Sequence, residues 1–211
     1  APTLPKQASP GGGRMTLNSI YSLLLELPAG LIPADRLGVC NFVECEPSIR
    51  MIVNNGAKHA DTDAETELWT VLSSGRFGKK HKAAQEFLEG TEVESEVTRL
   101  LLSAVGRSVG MEEGSLSEEN VIASKLQLWG AAVPISSWTG GPCVWDADHT
   151  IGICGDWMHE APAHESDARS STIESAWMSG RALAEHVANA ETRGSSCGLE
   201  LGEAGGHFVP V

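Results

Sequence analysis

Alternating apolar and polar positions dominate the first third of the chain and predict strands. "LNSIYSLLLELP" at 17–28 reads as a strand stopped by Pro28, and "SIRMIVNN" at 48–55 as a second, ended by Asn-Asn-Gly turn chemistry. "ETELWTVLSS" at 65–74 is a third, with β-favouring residues around Leu68 and Val71 and Gly75 closing it. The period then changes. Two helices are predicted, over 79–89 and 91–109. In the second, Val93, Val97, Leu100, Leu101, Ala104 and Val105 recur at three- and four-residue spacing behind Thr91 or Glu92. That stripe is expected to pack on the sheet.

"NVIASKLQLWGAAV" at 120–133 returns as a long strand, with Gly130 marking a bend or a close backbone approach and Pro134 ending it. "PCVWDADHTIGICGD" reads as a hairpin: "CVWD", a turn through Ala147 to His149, then the apolar "TIGIC". A closing helix is predicted over about 171–189. Ser171 and Glu174 are spaced as a capping box, and Ile173, Ala176, Trp177, Gly180, Leu183, Ala184 and Val187 form one apolar face. This pattern places Trp177 in the core.

Residues 1–15 are rich in Pro, Gly and Ser and read as a flexible or wrapping arm, while 191–211 carry no helical or strand period and read as a tail or docking extension. The expected class is α+β: a mixed or antiparallel sheet with packed helices over 16–140, then a strand-and-helix segment over 141–190.

Composition narrows the function. The 211 residues suffice for a buried core, and a formal charge of −13 argues against a nucleic-acid or anionic-membrane surface, both of which need clustered Lys and Arg. No apolar run approaches the roughly 20 residues of a membrane-spanning helix, so a soluble or peripheral protein is expected. Cysteines at 40, 45, 143, 154 and 197 are odd in number and scattered, which favours reduced, structural thiols, with a single bridge such as Cys40 to Cys45 as the alternative. The chain opens on Ala1 rather than Met, which suggests a removed presequence or a missing N-terminal part; import into an organelle is one reading.

Candidate chemistry centres on "GICGDW". A strand running into Gly155-Asp156 sets a carboxylate at a strand's carboxyl end, where α/β ligands bind, and the helix that follows points free N–H groups and partial positive charge at the same place. A flavin offers hydroxyls to the first and an electron-rich ring to the second.

"GICGDW" followed by "IESAWMSGRALAEHV" resembles the C-terminal flavin-binding signature of renalase-like proteins in the flavin amine oxidase superfamily. Upstream, "ELWTVLSSGRFG", "ESEVTRLLLSAVG" and "LQLWGAAVP" follow the order of that family's substrate-domain strand, helices and returning strand, so the likeness covers about 17–190. The resemblance implies a substrate-domain-like region at 16–140 joined to the last strand and C-terminal helix of a flavin-binding domain at 141–190. It also implies FAD as cofactor, with Gly155 and Asp156 at the ribityl-phosphate part. Thr172, Ile173 and Glu174 would lie at the pyrimidine edge of the flavin, and Trp129 on a substrate-domain strand facing the ring.

Three departures from the family pattern shape the functional expectation. No strand followed by G-x-G-x-x-G is present, and "GGGR" at 11–14 follows no strand and opens no helix, so the adenosine and pyrophosphate have no visible seat. The link "MHEAPAHESDARSS" at 158–171 is longer than the family's. Gly130 stands where relatives commonly carry a basic residue. The expectation is therefore a truncated oxidoreductase-like chain serving as a non-catalytic accessory or structural subunit, with protein partner chains. The alternative is the C-terminal portion of an active FAD-dependent amine or NAD(P)H oxidoreductase completed by a separate N-terminal chain. Plainer readings stand beside these: Asp156 as a turn residue, the six Trp as core or interface residues, and the acidic runs as solvated faces. His159 and His164 are spaced one residue too far for H-E-x-x-H, with Pro162 between them, so no metal is expected there.

Overall fold

A computed structural model describes residues 14–33, 37–58, 65–146, 149–158, 172–193 and 208–210. The chain divides into two compact units, Asn18–Ala132 and the pair Ala1–Leu17 with Val133–Val211. The division falls at 132/133, where the sequence reading placed its change of domain at 140/141. The described residues just before the first strand go with the later unit.

The first unit is a five-stranded sheet. Strand β1 (Leu17–Pro28) is flanked by β4 (Thr66–Ser73) and β5 (Ala123–Pro134), and β3 (Ile49–Asn54) and β2 (Cys40–Phe42) extend the β4 side. The β1–β4, β2–β3 and β3–β4 pairs are antiparallel, with Leu25 opposite Trp69, Leu23 opposite Val71 and Ile52 opposite Val71. Strand β5 runs the same way against β1, since the Ile122 amide donates to the Glu26 carbonyl while the Ser19 hydroxyl reaches the Gly130 carbonyl. The three long strands expected from alternation are thus present, and β2 is an addition that a three-residue segment does not announce.

Tyr21, Leu23, Leu25 and Leu27 point to one face of the sheet with Trp69, Val71, Ile52, Leu126 and Leu128. Against that face packs the long helix over Glu92–Ser108, through Val97, Leu101, Leu102, Ala104 and Val105. Thr91 is its N-cap, accepting the Glu94 amide at 3.2 Å. Its end is a Schellman turn: Gly110 takes a positive φ of 73°, the Met111 amide reaches the Gly106 carbonyl, and the Gly110 amide reaches that of Arg107.

The helix expected over 79–89 is replaced by a short α1 (Gly75–Lys80) and a 3-10 turn at Gln85–Phe87, with the long helix being α2. Ser74 causes the early start, since its hydroxyl accepts the Phe77 amide and caps the segment. Packing fixes its place, for a Cβ on Gly78 would lie 2.1 Å from the Ser19 carbonyl oxygen. Phe77 meets Tyr21 edge-on and stacks on His81 at 4.4 Å.

The second unit holds β6 (Ser136–Trp138), the hairpin of β7 (Val144–Asp146) and β8 (Ile151–Ile153), the helix α3 (Ile173–Arg193) and β9 (Phe208–Pro210). Strand β9 lies in the stretch read as a tail, yet it pairs antiparallel with β6, Ser137 opposite Val209. The arm read over 1–15 lies outside the described residues except for its last two positions. Beyond them Thr16 bonds both Ile135 and Ser136 through its backbone. Among the described residues no helix is long and apolar enough to cross a membrane.

Candidate functional site

The hairpin and α3 build one corner. Antiparallel pairing sets Trp145 opposite Gly152 and Val144 opposite Ile153. The side of the hairpin that carries Trp145 and Gly152 meets α3: Trp145 lies against His186 at 6.1 Å between ring centroids, and a Cβ on Gly152 would lie 2.8 Å from both Leu183 terminal methyls. The first glycine of "GICGD" is therefore a seat for a leucine. At the second, Gly155, a Cβ would lie 2.6 Å from the Trp157 indole nitrogen. Both glycines admit neighbouring side chains of the same unit.

Gly155-Asp156-Trp157-Met158 is a tight turn, closed by the Met158 amide on the Gly155 carbonyl at 3.1 Å. The turn sends the chain back alongside β6, where the Trp138 amide donates to the Trp157 carbonyl and Trp138 bridges Met158. Asp156 is thus the second residue of the turn. Its backbone carbonyl faces α3, 3.0 Å from the Ser175 hydroxyl.

Two serines one helical turn apart tie α3 to the hairpin. Thr172 and Ser175 cap the helix reciprocally: the Thr172 hydroxyl accepts the Ser175 amide at 3.0 Å, and the Ser175 hydroxyl accepts the Thr172 amide at 3.1 Å. The capping pair is thus one residue later than expected; Ser171 lies outside the described residues. Ser179, fully buried, donates to the Pro142 carbonyl at 2.6 Å and accepts the Gly155 amide at 2.9 Å. Neither serine was singled out from the sequence, although their four-residue spacing puts them on one helix face.

The inner face of α3 is correspondingly polar. Trp177, expected in the core, is 72% exposed, and Ile173 is 92% exposed. The first turns of the apolar stripe, Ile173, Ala176 and Trp177, point outward, while Leu183 of the same stripe turns to Gly152; the hydroxyls of Ser175 and Ser179 serve the backbone groups of the hairpin.

Of the six candidate residues, the structure gathers Gly155, Asp156 and Thr172 around Ser175 and Ser179, with Ile173 and Glu174 next in the chain on the exposed helix end. Trp129 belongs to the other unit, on β5. His159 and His164 lie outside the described residues, and among those described no three His, Cys, Asp or Glu side chains gather as metal ligands. At the hairpin tip the His149 Nδ1 lies 2.9 Å from the Asp146 carboxylate. Burial pushes the Cys143 thiol up, and the nearby Cys154 adds to that shift.

The sheet of the first unit presents a second feature. On the side away from α2, every strand shows an apolar residue: Phe42 on β2, Met51 on β3, Leu68 and Leu72 on β4, Leu24 on β1 and Trp129 on β5. Leu24 (46%), Leu68 (49%) and Trp129 (54%) are exposed, as is Phe42. Trp129, expected on a strand facing the flavin ring, alternates outward from the buried Leu126 and Leu128. Compared with known proteins, the chain matches no protein-family model, and no curated sequence matches it significantly.

Proposed function

We propose that the chain is a non-catalytic accessory or structural subunit, with a flavin-oxidoreductase-like fold, that binds a companion protein chain through the outer face of its five-stranded sheet. One observation carries the reading: an apolar residue on that face of every strand, with Phe42, Leu24, Leu68 and Trp129 exposed to solvent. Ser22, Thr70 and Glu26 share that face opposite Leu72, Leu24 and Leu68, so apolar and polar residues are interleaved; apolar residues recurring on every strand favour a partner site over a wholly solvated face.

The corner that resembles a flavin site supports the non-catalytic side of the reading. The Gly155 amide is engaged by Ser179, the Thr172 and Ser175 amides by the reciprocal cap, and the space beside Gly155 by the Trp157 indole. Donors already engaged within the chain favour a structural use of this corner. The second reading, a C-terminal portion of an FAD-dependent amine or NAD(P)H oxidoreductase, requires a completing chain that brings the dinucleotide-binding unit and remodels this corner.

Leu68→Glu with Leu24→Glu tests the proposal. Placed on the outward face, the two charges should leave the unit folded by circular dichroism and abolish co-purification of the companion chain. Undiminished co-purification would remove the sheet face as the binding surface. Asp156→Ala separates the two readings, since lowered flavin occupancy in the completed assembly would favour the oxidoreductase.

A further inference from the structure

We infer that Cys143 and Cys154 are a modification site, closing a reversible disulfide across the open end of the β7–β8 hairpin. The register carries the inference. Val144 is opposite Ile153, so one step outward Cys143 is opposite Cys154 on the same face of the hairpin, and one further step sets Pro142 opposite Gly155. That outer step is held, since Ser179 bridges the Pro142 carbonyl and the Gly155 amide. The two cysteines are therefore fixed between a paired step and a bridged one. Directly opposed residues of an antiparallel pair have Cα atoms about 4.5–5.5 Å apart, within the range of about 4.4–6.8 Å that a disulfide spans. Both are free thiols here, and burial distinguishes them: Cys143 is buried and Cys154 exposed.

That asymmetry sets an order of events. An oxidised low-molecular-weight disulfide such as glutathione disulfide meets Cys154 first. The Cys154 thiolate attacks one sulfur, the S–S bond breaks, and one glutathione leaves as thiolate. The Cys143 thiol, deprotonated to solvent, then attacks the Cys154 sulfur and expels the second glutathione. Two protein thiols are oxidised to one disulfide and one glutathione disulfide is reduced to two glutathiones. Burial holds the Cys143 thiol protonated at neutral pH, so the second step is expected to quicken as pH rises.

The test equilibrates the full chain in graded ratios of reduced to oxidised glutathione, quenches in acid, alkylates free thiols and maps fragments by mass spectrometry. Asp146 and Asp148 lie between the two cysteines, so cleavage at aspartate separates them unless a disulfide joins them. The expected result is joined fragments holding Cys143 and Cys154, with Cys40 and Cys45 outside the bridge. Cys154→Ser, an exposed change, should leave Cys143 a free thiol at ratios that oxidise the unsubstituted chain. Three outcomes would overturn the inference: a lasting glutathione adduct on Cys154 in the unsubstituted chain, pairing of Cys154 with any other cysteine, or both thiols remaining open to alkylation throughout. Glutathione on Cys143 in Cys154→Ser would overturn the order.

Discussion

Leu183 on α3 fills the space that a side chain at Gly152 on β8 would need, with a Cβ there lying 2.8 Å from both of its terminal methyls. Gly152→Ala should therefore destabilise the second unit by about 1–3 kcal/mol, the usual cost of overpacking. Because the clash is with the end of a movable side chain, Leu183→Ala in the same chain should recover part of the loss. Chemical denaturation of the single and double variants checks this through their non-additivity.

Gly78→Ala is expected to cost more than Gly152→Ala. The new Cβ would lie 2.1 Å from the Ser19 carbonyl oxygen, which is part of β1 and has no rotamer to yield. A loss beyond about 3 kcal/mol, or no folded first unit, is the expected outcome, read as the denaturation midpoint. A variant as stable as the parent would mean that α1 does not lie against β1 as described.

Ser179→Ala removes the one group that serves both the Pro142 carbonyl and the Gly155 amide. A fully buried polar group left without a partner costs about 1–3 kcal/mol, and the half-buried Pro142 and Gly155 should sit at the low end of that range. Hydrogen exchange gives the local check: the Gly155 amide should lose protection in Ser179→Ala while amides of β1 and β4 keep theirs.

Glu46 links pH to stability. Its carboxylate is nearly buried, which pushes its pKa up, but the Arg107 guanidinium at 2.8 Å and the Ser48 amide outweigh burial and hold it below the usual value. A lowered folded-state pKa gives stability that is full above the unfolded pKa and lost as pH falls through the folded one. Urea midpoints measured from about pH 7 down to about pH 3 should fall with acid in the parent, and Glu46→Gln should flatten that slope. Arg107→Ala should shrink the acid loss, because the Ser48 amide alone then opposes burial and the folded-state pKa rises toward the unfolded one.

How much of this was legible follows from where each signal resides. The β1 alternation and the α2 stripe are local, and both appear with bounds within a few residues of those read. The start of α1 at Ser74 hinged on a cap weaker in sequence than the apolar run after it. For α3, Ile173, Ala176, Trp177, Gly180, Leu183, Ala184 and Val187 made a convincing apolar face; Leu183 does turn to the hairpin, but nothing local said that Ser175 and Ser179 would face inward while Ile173 and Trp177 stay exposed. That choice was made by the hairpin, whose open backbone groups need hydroxyls. The candidate corner was legible as a strand ending in a turn before a helix. The work of its glycines was not, because Leu183 and Trp157 determine it and only the fold brings them there.

The central claim is that this chain is an accessory subunit with a companion protein on its outer sheet face. Native mass spectrometry of the protein isolated from its own source, followed by denaturation to release whatever is held, tests it most directly. The account expects one or more companion chains and no flavin. A stable monomer, or FAD released together with a dinucleotide-binding chain, would contradict it.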